Sequence, residues 1–238
     1  MDRAQERIRA GLDRHRMGRL DEAEALYRAA LKIEPGNTDA LHLLGAAALQ
    51  AGRAGDAVAL IERAVAAGKP TTAMLVNLGH ALRETGRAED ALDAFARAAA
   101  QAPDDAGIHY DAGETLDRLG RYAEAADAYG RAVARAPGEA AFFVARGIAL
   151  KNAGDPAAAE ACYHEGLEVA PDDFALHANL AVVLQRRRRL DEALDAYRSA
   201  LALEPRLFRK IAQNLTTEGA GMLWLRLDDA RRALSDEG

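Results

Sequence analysis

The sequence has few aromatic residues, a single cysteine and no long apolar run. Phenylalanine, tryptophan and tyrosine make up 5% of its 238 residues, which disfavours β-sheets, because strands are enriched in aromatic and β-branched side chains. Alanine is abundant instead, and alanine has the highest helix propensity of all residues. The composition therefore predicts an all-α protein.

Other absences exclude whole classes of protein. The one cysteine, Cys162, rules out an intrachain disulfide framework and fits a reducing compartment. The charged first residues lack the apolar core of a secretory signal, and no window approaches the roughly 18 apolar residues of a membrane span. We therefore expect a cytoplasmic protein without a membrane segment. A formal net charge of -6 argues against a nucleic-acid partner, since phosphate backbones bind basic surfaces.

The motifs of common catalytic sites are also absent. The sequence has no phosphate-binding loop of the Gly-x4-Gly-Lys-Ser/Thr type, no His-Glu-x2-His zinc motif, no Gly-x-Ser-x-Gly nucleophile turn and no Cys-x2-Cys pair. We therefore predict a protein that is not an enzyme, with no cofactor and no metal site.

An internal repeat of 34 residues runs through most of the chain. Glycine recurs at this interval at Gly18, Gly52, Gly86, Gly120 and Gly154. A second series of small residues has the same period: Gly11, Gly45, Gly79, Gly113, Gly147 and then Ala181. A third is an alanine followed four residues later by a large side chain, at Ala23/Tyr27, Ala57/Ile61, Ala91/Phe95, Ala125/Tyr129, Ala159/Tyr163 and Ala193/Tyr197.

Each series has a physical meaning. Small residues such as Gly11 and Ala23 allow two antiparallel helices to approach closely, and the large side chain one turn after the alanine fills the space between them. The glycine at Gly18 and its equivalents ends the first helix in a left-handed conformation. Each unit is therefore expected to be a pair of helices, at about 72–85 and 88–101 in the third unit.

This pattern resembles the tetratricopeptide repeat, abbreviated TPR, which has a period of 34 residues and an Ala-x3-aromatic pair. The resemblance implies a right-handed α-solenoid of helix-turn-helix repeats. We place six units at 4–37, 38–71, 72–105, 106–139, 140–173 and 174–207, followed by C-terminal capping helices at 208–238. The many arginines and alanines are typical of a GC-rich bacterial gene.

In this family, certain positions of each first helix face a ligand in the concave groove. Carried over by position, the resemblance implies a groove lined by Asn77, His80, Arg83, Tyr110, Asp111, Glu114, Lys151 and Asn179. Asparagine at the sixth position resembles residues with which some members hold a peptide backbone, and Asn77 and Asn179 match it. The carboxylate clamp of chaperone-binding members is absent, because the required lysine and asparagine are replaced around Asn77 by His42 and Ala46, among other departures.

Charge along the groove suggests a property of the ligand. Asp111, Glu114 and Asp117 share one helix face, which favours a ligand with basic residues. The run from Arg186 to Arg189 in the sixth unit has two interpretations, a solvated helix end or a site for an acidic partner. Arg188 also stands where the other units have the turn glycine.

The C-terminal segment leaves another question open. Met222 to Leu225, with the only tryptophan, Trp224, either fold back as a cap over the last repeat or form an exposed patch for self-association.

The function predicted from these features is that of a non-catalytic scaffold or adaptor that binds a protein or peptide in the concave groove. The alternative is a substrate-recruiting accessory subunit of a separate enzyme, such as a glycosyltransferase or sulfotransferase.

Overall fold

The structure, a computed structural model, describes residues 3–209, 211 and 234. Within them the chain forms twelve α-helices and one 3-10 turn at Pro205–Leu207, and no strand. The helices are α1 Arg3–Arg16, α2 Leu20–Ile33, α3 Thr38–Gln50, α4 Ala54–Ala67, α5 Thr72–Glu84, α6 Ala88–Gln101, α7 Ala106–Arg118, α8 Tyr122–Arg135, α9 Ala140–Asn152, α10 Pro156–Val169, α11 Phe174–Arg186 and α12 Leu190–Leu203. The all-α prediction is confirmed, and of the bounds expected in the third unit those of α6 match and that of α5 ends one residue earlier than expected.

Contacts divide the chain into two compact units, Met1–Thr115 and Leu116–Gly238. In the first unit, α1 packs on α2, α3 on α4 and α5 on α6, and each pair also contacts the next along the chain. In the second unit, α8 to α12 pack in series in the same way. Consecutive packing of helix pairs is the arrangement of an α-solenoid.

Glycines end the first helix of most pairs, as predicted. Gly52 has φ of 75°, a left-handed conformation that favours glycine because it has no Cβ atom. The Arg53 N–H donates to the Ala48 carbonyl at 2.8 Å and the Gly52 N–H donates to the Leu49 carbonyl at 3.0 Å, which closes the helix end in a Schellman motif. Arg188 adopts the same conformation, with φ of 62°, and is the one non-glycine residue with positive φ in the described part of the chain.

The predicted contact between small and large residues is confirmed in the first, second, third and fifth helix pairs. A Cβ atom added to Gly79 would lie 2.6 Å from Cε1 of Phe95, and one added to Gly45 would lie 2.5 Å from Cγ1 of Ile61. Gly11 faces Tyr27 in the same way, with 2.5 Å to its Cε1 atom. The close approach of the backbones therefore depends on the missing side chain.

Cores of apolar side chains lie within each unit. In the second unit, Tyr163 and Tyr197 are fully buried, and Ile211 and Leu234 are buried in the same cluster. Cys162 is buried there too, its Sγ donating to the Phe143 carbonyl at 3.5 Å, and burial raises the pKa of its thiol to about 11. A thiol protonated at neutral pH is a packing group, as expected from its place in a helix.

Two predictions concern residues outside the described part. The capping helices at 208–238 and the Met222–Leu225 segment lie almost wholly beyond it, so they stay predictions, as does the division into six units at the stated boundaries. No described helix combines the length and the apolar composition that crossing a bilayer requires.

Candidate functional site

The first helices of the first unit carry most of the predicted groove residues. Here α1 contacts α3, and α3 contacts α5 directly, so their side chains form one surface, called below the first-helix face. The helices contribute His42 from α3, Asn77, His80 and Arg83 from α5, and Tyr110, Asp111 and Glu114 from α7. All seven are partly buried, neither enclosed in the core nor fully solvated.

The structure brings His42 and Asn77 into contact across α3 and α5. The Asn77 Nδ2 atom lies 2.9 Å from Nε2 of His42. An amide nitrogen only donates, so the imidazole nitrogen accepts and the ring is neutral at that atom. Burial lowers the pKa of His42, while the Asp39 carboxylate and a hydrogen bond with the Ala73 backbone partly offset this effect. The pair is therefore a neutral hydrogen-bonding group with an amide oxygen still available as an acceptor.

A second cluster joins α5 to α7. His80 Nε2 lies 2.8 Å from Oδ2 of Asp111. The guanidinium of Arg83 donates to Oε2 of Glu114 at 3.0 Å and to the Asp111 carbonyl at 3.3 Å. The Arg83 side chain is only 9% exposed, so its charge is held close to both carboxylates. Pairing of this kind fixes all four side chains in one geometry.

This cluster changes the interpretation of the acidic residues. The sequence suggested that Asp111 and Glu114 present free negative charge to a ligand, but in the structure His80 and Arg83 of the same chain already bind them. His80 and Glu114 are one repeat period of 34 residues apart, yet the His80 side chain contacts Asp111, one turn before Glu114. The spacing of the repeat predicts which backbone positions lie next to each other on adjacent helices. It does not predict which of them a long arginine side chain contacts.

A cleft of about 280 Å³ opens between α1 and α3 on the same face. Its apolar side chains are Ile8, Leu12 and Leu43, and polar side chains surround them: Gln5, Arg9, Asp39 and His42. Apolar clefts edged by a few polar groups are the usual form of a side-chain binding site. His42 belongs both to this cleft and to the contact with Asn77.

The remaining predicted residues lie in the second unit. Asn179 on α11 donates from Nδ2 to the Ala175 carbonyl of its own helix at 2.8 Å. Lys151 on α9 is partly buried, and burial together with the positive charge of Arg186 lowers its pKa.

The arginine run has an intramolecular role that the sequence did not indicate. Arg187 and Arg189 both form ion pairs with Glu160, a glutamate on α10 whose side chain is 11% exposed. Glu24 on α2, 5% exposed, pairs with Arg53 in the corresponding way in the first unit. A glutamate at a core-facing helix position, with an arginine 29 residues later, is the signal by which these contacts could have been found.

The repeat of this chain matches the sequence models of a known family. Sequence models described as Tetratricopeptide repeat match residues 14–75, 76–140 and 144–207. The chain belongs to the tetratricopeptide repeat family. No curated protein matches it.

Solved TPR structures resemble the chain. A crystal structure of MamA is 25% identical with a TM-score of 0.64, and the match covers 68% of this chain and 94% of MamA. YrrB, described as a TPR protein with an unusual peptide-binding site, is 20% identical with a TM-score of 0.64, over 71% of this chain and 88% of YrrB. The C-terminal part of a TPR repeat-containing protein from Cytophaga hutchinsonii is 12% identical with a TM-score of 0.80, over 95% and 92%. At the identities of the last two, the likeness concerns the fold.

Proposed function

We propose that this TPR protein is a non-catalytic interaction scaffold that binds a peptide or protein segment on its first-helix face. The proposed binding residues are those predicted from the family: Asn77, His80, Arg83, Tyr110, Asp111 and Glu114 on the first-helix face, and Lys151 and Asn179 in the second unit. The observation that carries the proposal is the set of polar contacts across adjacent first helices, from His42 to Asn77 and from Arg83 to Glu114.

These contacts support binding because they order the surface before a ligand arrives. Immobilising a long polar side chain costs roughly 0.5–1.5 kcal/mol of entropy on association. Arg83 is already held by Asp111 and Glu114, and Asn77 is already held by His42. A peptide would therefore meet fixed donors and acceptors, and the cleft beside His42 offers room for one apolar side chain.

The solved relatives add support of a different kind. YrrB is a TPR protein with a peptide-binding site, and its fold resembles that of this chain. A repeat fold of this kind presents first helices side by side, which suits an extended ligand.

Two finer parts of the proposal have less support. A ligand with basic residues was expected from Asp111 and Glu114, but the Arg83 guanidinium lies 3.9 Å from the Asp111 carboxylate and 3.0 Å from that of Glu114 and already offsets their negative charge. Self-association through the Trp224 segment concerns residues outside the described part.

Affinity capture from the source cell tests the proposal. The double variant His42→Ala with Asn77→Ala removes both members of a hydrogen-bonded pair, so neither is left unpaired. The matched control is Thr72→Ala with Gln101→Ala, a neutral pair joined at 3.0 Å between α5 and α6. We expect the partner to be lost with the first variant and kept with the second, at equal helicity. Retention by both variants would remove the first-helix face as the binding surface.

A further inference from the structure

A chain of hydrogen bonds in the first unit links a buried tyrosine to two first helices. The hydroxyl of Tyr27 on α2 lies 3.4 Å from Nδ1 of His15 on α1. Nε2 of the same imidazole lies 2.9 Å from Oε1 of Gln50 on α3. A neutral imidazole accepts at one nitrogen and donates at the other, so both contacts are satisfied at once.

The second unit has the same three positions with different residues. Tyr163, Lys151 and Arg186 are separated by the same 12 and 35 residues as Tyr27, His15 and Gln50. The Tyr163 ring lies against Gly147, four residues before Lys151, as the Tyr27 ring lies against Gly11, four residues before His15. A third tyrosine confirms the register, because the Tyr197 hydroxyl donates to Oε1 of Gln185 at 2.9 Å, again 12 residues apart.

The chemistry of these three residues leaves the chain of hydrogen bonds incomplete. The Tyr163 hydroxyl is buried without a hydrogen-bond partner. Among residues 3–209, neither the Lys151 side chain nor the Arg186 side chain forms a hydrogen bond or an ion pair, and the charge that acts on Lys151 is that of Arg186. Lysine and arginine side chains only donate, so they cannot hydrogen-bond to each other, and the Tyr163 hydroxyl, which could accept, bonds to neither.

We propose that Lys151 and Arg186 bind a carboxylate of the peptide ligand, which supplies the acceptor that Gln50 supplies to His15 in the first unit. This inference rests on the proposed binding function and gives the ligand a chemical character in the second unit. A carboxylate bound between two cations forms charge-assisted hydrogen bonds and relieves their mutual repulsion. The buried Tyr163 hydroxyl has the register of the Tyr27 hydroxyl in the first unit and is left with its hydrogen bond unmade.

A peptide carboxylate fits the site better than the phosphates of a nucleic acid. The protein carries a formal net charge of -6, which repels a polyanion, whereas two neighbouring cations are enough for a single carboxylate. Both a glutamate or aspartate side chain and a free C-terminus supply this group, and the experiment separates the two sources.

Fluorescence anisotropy of the full chain with labelled peptides tests the proposal at low ionic strength, where screening is weak. The probes are an amidated hexapeptide of five glutamines and one central glutamate, hexaglutamine with a free C-terminus and, as a blank, amidated hexaglutamine. We expect the amidated glutamate peptide to bind the wild-type chain. Binding of hexaglutamine with a free C-terminus alone would support the same site with a terminal carboxylate as its ligand. Binding of neither carboxylate probe would overturn the proposal.

Two double variants with equal loss of charge show whether binding occurs at this site. Lys151→Gln with Arg186→Gln is expected to weaken binding at least tenfold. Arg97→Gln with Arg131→Gln alters exposed residues on the second helices α6 and α8 and is expected to stay within twofold of wild type. Equal weakening in both would show non-specific attraction and overturn the proposal.

A further variant and the capture experiment complete the test. Lys151→Met with Arg186→Met retains side-chain bulk, so it measures the charge effect if the glutamine variant loses helicity. The peptide assay needs no cellular partner, so a negative result here does not depend on whether the His42/Asn77 variant loses its partner in the capture experiment.

Discussion

The Cε1 atom of Phe95 lies 2.6 Å from the position that a Cβ atom on Gly79 would occupy. Alanine at this position would push α5 away from α6 or force the ring out of its rotamer. Overpacking of a core costs about 1–3 kcal/mol, and we expect Gly79→Ala to lower the free energy of unfolding by that amount in urea denaturation. Gly55→Ala is the control, because Gly55 on α4 has nothing within 4 Å and the better helix propensity of alanine should leave stability equal or higher. Equal effects would contradict the packing account.

Arg188 provides a test of the turn between α11 and α12. Its φ of 62° is unfavourable for a residue with a Cβ atom, and five other helix pairs have glycine there. We expect Arg188→Gly to raise the free energy of unfolding by roughly 0.5–1 kcal/mol, after the greater freedom of glycine in the unfolded chain is allowed for. The reverse change, Gly154→Ala at φ of 89°, should lower it. Thermal or urea unfolding measures both, and a less stable Arg188→Gly variant would show that the arginine side chain has a role of its own.

Glu160 tests the ion pairs of the arginine run. Its carboxylate is largely buried and binds Arg187 and Arg189, so Glu160→Gln removes the charged partner of Arg187 and leaves Arg189 with Glu192 alone. We expect a loss of about 1–2 kcal/mol in the free energy of unfolding, since both arginines remain more than a third exposed and are partly solvated. Glu192→Gln should have a smaller effect, because Glu192 is mostly exposed. Urea denaturation measures both losses of unfolding free energy. A larger loss in Glu192→Gln than in Glu160→Gln would contradict this account of the ion pairs.

The contact between His42 and Asn77 predicts a dependence of stability on pH. Burial lowers the pKa of His42 in the folded protein below its ordinary value of about 6.5. As the pH falls through that value, the unfolded chain binds a proton that the folded chain does not, so this residue makes stability fall with pH. We expect the loss of unfolding free energy from about pH 7.5 to about pH 5.5 to be smaller in His42→Gln than in wild type.

The control for that measurement is Thr72→Ala on α5, which removes no titratable group. Its pH profile should run parallel to that of the wild type. A His42→Gln profile that also runs parallel would show that His42 takes up its proton equally in both states.

The helix pairs and the turns between them could be predicted from the repeat, because the residues that specify them recur at a fixed interval or act locally. Gly79 and Phe95 are 16 positions apart, and the absence of one side chain opposite a large one needs no knowledge of rotamers to interpret. The turn glycines likewise follow from a single conformational requirement. Arg188 shows that the requirement belongs to the backbone, since an arginine takes the same conformation in the same place.

The contacts of the site were less accessible from sequence. The family positions correctly placed Asn77, His80 and Arg83 on first helices, but not that Arg83 would reach two carboxylates on the next helix. The partner of a long flexible side chain depends on its rotamer and on the charges nearby, and neither of these follows the 34-residue repeat. The acidic character expected around Asp111 was therefore overestimated, and the neighbouring cations Lys151 and Arg186 were not recognised as a pair.

Site-specific photocrosslinking tests the central claim, that the first-helix face of the first unit contacts the partner, most directly. Ala73 on α5 and Ala96 on α6 are both exposed alanines, one on a first helix and one on a second helix. A photoreactive residue introduced at each position of the intact protein reports which surface lies against the partner in the source cell. We predict a crosslinked partner from position 73 and none from position 96. A crosslink from position 96 alone would contradict the account and place binding on the second helices.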